Sequence, residues 1–238
     1  ISFMKIVLAP DKFKGSLTGF QFCKVVEQNI KLVLPHAKII KLPLADGGDG
    51  TIEILEYHLK GKRIKVRVND PLFRGIEASY LYMDSIKTAF IEMAEASGMC
   101  LLKKEDQNCY NTTTLGVGEI ILDAIHKGAK TIILGIGGSA TNDCGIGMAS
   151  ALGYTFEDEN GVELSPVGKN LCLIKNINTN NVLPELKSVT FKVACDVTNP
   201  LHGKEGAAFV YGPQKGASPN EIIALDEGLK NISKLFKK

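Results

Sequence analysis

The sequence predicts an α/β fold, and three observations carry that prediction. Short apolar runs, Lys5 to Ala9, Lys38 to Leu44 and Ile132 to Leu134, alternate with stretches of helical periodicity such as Leu17 to Val33 and Leu115 to Ile125. Each of these runs opens into a loop rich in glycine, acid or hydroxyl groups, the arrangement of open α/β sheets whose ligands lie beyond the strand ends. Near Gly61 the pattern changes: Ile64, Val66 and Val68 alternate with Arg63, Lys65 and Arg67, which reads as a half-exposed antiparallel strand. The expected organisation is therefore a first α/β domain over 1–65 and a second α/β domain with a mixed sheet over 66–238.

Taken in order, the first strand stops at Pro10 before the loop Asp11-Lys12-Phe13-Lys14-Gly15-Ser16. Thr18 and Gln21 have the spacing of a capping box and open a helix that Pro35 ends. Lys12 and Lys14 thus sit in a loop beyond a strand, as phosphate ligands or as solvated charges. The second strand runs into Ala45-Asp46-Gly47-Gly48-Asp49-Gly50-Thr51, and a helix over Ile52 to Leu59 follows. Paired carboxylates among glycines suit Mg²⁺, which takes one or two carboxylates and substrate phosphate oxygens. The same residues also suit a turn with an aspartate N-cap.

Beyond the boundary, Ile76 to Tyr82 and Thr88 to Met93 read as strands, with Glu92 and Glu95 at the end of the second as catalytic or merely solvated acids. Thr112, Thr113 and Thr114 precede the helix closed by Gly128, as caps or as phosphate ligands. The stretch from Lys130 to Leu152 is the most informative. A buried strand leads into Gly135-Ile-Gly-Gly-Ser-Ala-Thr-Asn-Asp143 and then into small residues that can continue as a helix. Glycines admit close approach to backbone N–H groups, and a helix start favours anions, so a phosphate or carboxylate is the natural guest. Asn142-Asp143 also fits an ordinary N-cap.

Tyr154 to Glu157 is a short strand, and 165–187 reads as loop-rich with an asparagine cluster at 176–181. Ser188 to Ala194 is a strand ending at Cys195-Asp196-Val-Thr-Asn199-Pro-Leu-His202. Asp196 is placed where a general base could sit, or where an Asx turn would put it. Ser218, Pro219 and Glu221 start a last helix whose apolar face, Ile222, Leu225, Leu229, Ile232 and Phe236, needs cover.

Composition excludes other classes. With 45% apolar and 23% charged residues among 238, the chain reads as globular. Its formal charge of +2, from 28 basic and 26 acidic residues, argues against nucleic acid or an anionic membrane as partner. No apolar run reaches the ~20 residues of a membrane span. The six cysteines lack zinc-site spacing and disulfide density, which fits a reduced, cytoplasmic setting. Ile1-Ser2-Phe3 precede the first methionine and read as a remnant outside the fold.

Four stretches together, Ala9-Pro-Asp-Lys-Phe-Lys-Gly-Ser-Leu17, Leu44-Ala-Asp-Gly-Gly-Asp-Gly-Thr51, Gly135-Ile-Gly-Gly-Ser-Ala-Thr-Asn-Asp-Cys-Gly145, and Cys195-Asp-Val-Thr-Asn-Pro-Leu-His-Gly203 with Gly212-Pro-Gln-Lys-Gly216, closely resemble the bacterial glycerate kinase family of the 2-phosphoglycerate-forming type. The resemblance implies ATP-dependent phosphorylation of D-glycerate with Mg²⁺ in a crevice between two dissimilar α/β domains. The first of these would be an incomplete Rossmann/flavodoxin-like parallel sheet, because family members continue into a C-terminal portion that completes it. It follows that this shorter chain is expected to be weakly active or inactive, with the last helix's face and part of the nucleotide site unsupported. A homodimer is left open.

Phosphoryl transfer demands positioning and charge neutralisation above all. On that footing Gly137, Gly138, Ser139, Ala140, Thr141 and Asn142 are expected to supply donors to phosphate or carboxylate, and Lys12 and Lys14 to neutralise phosphate. Asp46 and Asp49 are expected to hold Mg²⁺, and Asp196 to accept the hydroxyl proton with Asn199 orienting it. Asp46 and Asp196 could exchange these roles. Two other classes stay open: a dinucleotide-dependent oxidoreductase, since Gly135-x-Gly137-x-x-Ala140 follows a strand with Glu157 about 20 residues on, and a non-catalytic carboxylate-binding module.

Overall fold

The computed structural model of the protein describes residues 4–11, 16–45, 47–48 and 50–236. Lys12, Lys14, Asp46 and Asp49 therefore lie outside the described residues.

Strand β1 (Lys5–Leu8) pairs in parallel with β2 (Lys38–Lys41) through helix α1 (Gly19–Val33). The capping box forms as its spacing requires: the Gln21 N–H donates to Thr18 Oγ1 while the Thr18 N–H donates to Gln21 Oε1. Two orphan donors at the helix start are thereby satisfied. Helix α2 (Thr51–Leu59) follows, and sheet membership changes at the next element.

Strands β3 (Lys62–Asn69), β4 (Gly75–Met83) and β5 (Thr88–Glu92) form an antiparallel meander. After the short helix α3 (Ala94–Ser97) and helix α4 (Leu115–His126), strand β6 (Thr131–Gly135) joins β5 in parallel. Helix α5 (Ile146–Ala151) leads to a two-stranded ribbon of β7 (Thr155–Glu157) and β8 (Asn176–Asn178). Strand β9 (Thr190–Ala194) then lies parallel to β6, which gives a mixed five-stranded sheet in the order β3-β4-β5-β6-β9. Helices α6 (Ala207–Tyr211) and α7 (Pro219–Leu235) close the described chain.

Both kinds of sheet follow from sequence pattern. The alternating basic residues of β3 place it at a sheet edge, where lysine and arginine discourage further pairing. The uniformly apolar β6 is interior, flanked on both sides by parallel neighbours. Helix α4 lays Val117, Ile120, Ile121 and Ala124 across this sheet against Tyr80, Ile91 and Ile132, all buried.

One expectation is overturned in part and another is refined. Most of the apolar face of α7 is covered: Ile222, Leu225, Leu229 and Ile232 are buried with Ile146, Phe156, Leu171 and Ile174 in a second core, whereas Phe236 is exposed. Part of its cover, Leu171 and Ile174, comes from a segment that reads as loop because it is short in regular structure, and the rest from Ile146 of α5 and Phe156 of β7. Within the asparagine cluster, Asn176–Asn178 form β8, and the Asn176 and Asn178 amides donate to the Glu157 carboxylate. Asparagine's weak strand preference is overridden there by cross-strand pairing.

Candidate active site

Strands β5, β6 and β9 run in the same direction, and their last residues stand side by side: Glu92 is in register with Gly135, and Gly135 with Ala194. This row forms a shelf at the carboxyl end of the sheet, the side on which open α/β folds bind ligands. Gly47 and Gly48, from the connection between β2 and α2, lie against it. A Cβ added at Gly135 would run into the Gly47 carbonyl oxygen, and one at Gly137 would fall 2.6 Å from the Gly48 Cα. One at Gly47 would sit 3.0 Å from the Ala194 oxygen. These three glycines are needed for closeness of approach.

Glu92 fixes the third corner of the contact. Its carboxylate accepts from the Gly50 N–H at 3.1 Å and from the Ile52 N–H. Gly50 is the N-cap of α2, has φ +84° and offers no side chain, so a buried acid from another strand caps this helix. Glu92 is therefore neither solvated nor free for chemistry. Glu95 is likewise engaged, by the Ser79 N–H and hydroxyl.

The loop after β6 is held from beneath. The Met99 N–H donates to the Gly138 oxygen at 2.9 Å, and the Ala140 N–H donates to the Ser97 oxygen at 2.7 Å. Thr112 Oγ1 donates to the Ala140 oxygen. Asp143, buried, accepts from Thr114 N–H and Oγ1 and from the Gly145 and Gly147 N–H groups. Burial pushes its carboxyl pKa up, while those donors pull it down. The threonine run thus serves the loop's scaffold, and Asp143 ties the loop to the starts of α4 and α5. Cys144 is no nucleophile: burial, reinforced by Asp143, pushes its thiol up to about 12.

What the loop presents upward is different. Among the described residues, the Gly137 and Gly138 N–H groups have no protein partner, and Gly138 is exposed with φ +73°. Ser139 Oγ receives a hydrogen bond from Lys215 Nζ at 2.8 Å, and the same ammonium donates to the Thr141 oxygen at 2.8 Å. Ala140, Thr141 and Asn142 are buried, and the N–H of Ala140 is committed to Ser97. Lys215, from the stretch Gly212-Pro-Gln-Lys-Gly216, is a site residue that the sequence does not mark. Its distance of 76 residues from Ser139 left no local signal.

Asp196 lies two positions beyond the shelf residue Ala194 and is exposed. Asn199 is tied into its own loop, donating to the Glu205 oxygen and accepting from the Tyr211 hydroxyl. Lys12, Lys14, Asp46 and Asp49 fall outside the described residues, whereas Gly47 and Gly48 lie against the shelf. Among the described residues no cluster of histidine, cysteine, aspartate or glutamate could hold a metal. The dinucleotide fingerprint fails on geometry, because α5 begins only at Ile146 and no helix start follows the Gly135 turn directly.

The sequence profile of the glycerate kinase family matches residues 6–238. The chain belongs to the glycerate kinase family. It is 44% identical to a glycerate kinase of Halalkalibacterium halodurans, over 98% of this chain and 61% of that protein. With the glycerate 2-kinase of Escherichia coli K12 it shares 43% identity over 99% of this chain and 62% of the relative. The fold is similar, with a TM-score of 0.84 and 42% identity, to the crystal structure of a glycerate kinase 2 candidate from Salmonella typhimurium LT2, covering 98% of this chain and 63% of that one. This member of the glycerate kinase family thus spans about three-fifths of the length of the relatives it matches.

Proposed function

We propose that this chain carries the site for ATP-dependent phosphorylation of D-glycerate to 2-phosphoglycerate, at the shelf formed by Glu92, Gly135 and Ala194. The observation that supports this most is the segment Gly47–Gly48 lying against Gly135, Gly137 and Ala194. It gathers three of the sequence's separate loops around one strand edge, which is what a transfer between two small ligands requires.

In this reading the 2-hydroxyl oxygen of glycerate attacks the γ-phosphorus, the new O–P bond forms, and the bond to the β,γ-bridging oxygen breaks as ADP leaves. The hydroxyl proton passes to the Asp196 carboxylate. The Gly137 and Gly138 N–H groups and the Ser139 hydroxyl hold an anionic group in place, while Lys12 and Lys14 neutralise phosphate charge. Asp46 and Asp49 would hold Mg²⁺, which supplies charge neutralisation on phosphate oxygens when bound. An acidic glycine turn with few other carboxylates suits that ion, which keeps water and substrate oxygens in its shell. Asn199, already bonded to Tyr211 and Glu205, orients the loop carrying Asp196.

Turnover in the ordinary kinase range, about 1–100 s⁻¹, is the expected outcome where the site is complete. Calorimetric titration of D-glycerate and of ATP with Mg²⁺, together with ADP release, tests the rest. Asp196→Asn should leave both affinities intact and depress kcat by roughly 10²-fold or more at saturating Mg²⁺. Asp46→Asn should instead raise the Mg²⁺ concentration needed. Failure of the chain to bind either ligand sinks the reading, and glycerate binding without turnover in a complete-length relative would favour the binding-module class.

A further inference from the structure

Lys215 has no role in the mechanism above, yet it reaches the loop after β6. Its backbone is fixed: the Cys109 N–H donates to the Lys215 oxygen at 3.0 Å, and Gly216 (φ +84°) passes so close to Gln107 that a Cβ would run into the Gln107 carbonyl. The side chain is thereby delivered from the α6–α7 connection to the loop after β6. There its Nζ donates to Ser139 Oγ and to the Thr141 oxygen. Among the described residues it makes no ion pair, and the groups that act on it through space are Cys109 and Asp143. Burial pushes the ammonium's pKa down.

An ammonium has three donors, and two are spent on Ser139 and Thr141. Ser139 Oγ accepts from Lys215, so its own O–H remains to donate. Beside them stand the unpartnered Gly137 and Gly138 N–H groups. A partly buried cation with a spare donor, next to a spare hydroxyl and two spare N–H groups, is an incomplete constellation that one oxyanion completes. Holding a loop to its neighbour would need no charge, since a neutral amide could make the same two contacts at a smaller desolvation cost.

We propose that Lys215 is a substrate-binding residue, which with Ser139 Oγ and the Gly137 and Gly138 N–H groups receives one oxyanion, either the carboxylate of glycerate or a phosphate of the nucleotide. This rests on the kinase reading given above and adds to it the residue that supplies the charge.

The test compares the unaltered chain with Lys215→Met, Lys215→Arg and Ser139→Ala. Each is titrated calorimetrically with D-glycerate alone and with ATP plus Mg²⁺ alone, and its thermal midpoint is measured with and without each ligand. Lys215→Met should fold with a midpoint near that of the unaltered chain, and should lose about 10- to 100-fold in affinity for one ligand while keeping the other within a few-fold. The ligand lost identifies the source of the oxyanion: glycerate for the carboxylate, ATP for a phosphate. Lys215→Arg should recover part of that affinity, and Ser139→Ala should weaken the same ligand to a smaller degree.

Unchanged affinity for both ligands in Lys215→Met overturns the proposal and leaves the kinase reading standing. Should that variant not fold, Lys215→Arg and Ser139→Ala decide, and parity of both with the unaltered chain overturns it equally. If the unaltered chain binds neither ligand, the kinase reading itself fails.

Discussion

Gly135 shows how a single residue type can encode convergence. It ends a strand, where a β-branched residue would suit pairing better, because the Gly47 carbonyl occupies the place of its side chain. Gly135→Ala should therefore lift the Gly47–Gly48 segment from the shelf at a cost of roughly 1–3 kcal/mol. Thermal denaturation should register a drop of several degrees, and the Mg²⁺ dependence of ATP binding should weaken in parallel. A variant unchanged in both would mean that the close approach is dispensable. Asp143 teaches the converse lesson. Its sequence position suits a local N-cap, and it does accept from Gly145 and Gly147, but Thr114 contributes two further donors. Local spacing therefore revealed half of its work, and the half that crosses to α4 came only with the fold.

At the scale of elements, helix starts divide by where the cap originates. Thr18 and Ser218 cap their own helices, each with its partner three residues on, and the capping boxes of α1 and α7 are legible for that reason. Helix α2 has no such signal, since its cap is Glu92, 42 residues beyond Gly50. Glu92→Gln should cost about 1–3 kcal/mol, because an amide offers one acceptor where the carboxylate offers two and leaves the other N–H facing a donor. That corresponds to several degrees in midpoint for a chain of this size, with α2 amides exchanging faster than those of α4 by hydrogen-exchange mass spectrometry. Equal exchange in α2 before and after substitution would show that the cap is idle. Glu92 had been legible as an acid at a strand end. That it serves a helix rather than a substrate depended on a distant segment's path.

Across the whole molecule, apolar cover is uneven. The five-stranded sheet buries Tyr80, Ile91 and Ile132 under α4, whereas Leu32 and Val33 of α1 are 83% and 79% exposed and Val7 of β1 is exposed as well. A two-stranded sheet with one helix has little with which to resist opening. Amides of β1 and β2 should accordingly exchange well before those of β5 and β6, and D-glycerate or ATP should slow exchange in the 45–51 segment if that segment closes the site. Simultaneous exchange of both sheets would contradict this. The sequence by itself determined the strands and helices with strong period or capping chemistry, the change of pattern near Gly61 and the family. Those features rest on local propensity and on motifs read along one chain. Only the tertiary structure decided that Gly47 rests on Gly135, that Glu92 caps α2, that Lys215 reaches Ser139 and that most of the apolar face of α7 is covered. Each is a contact between residues far apart in the chain, set by how sheets and helices stack, which no local pattern can encode.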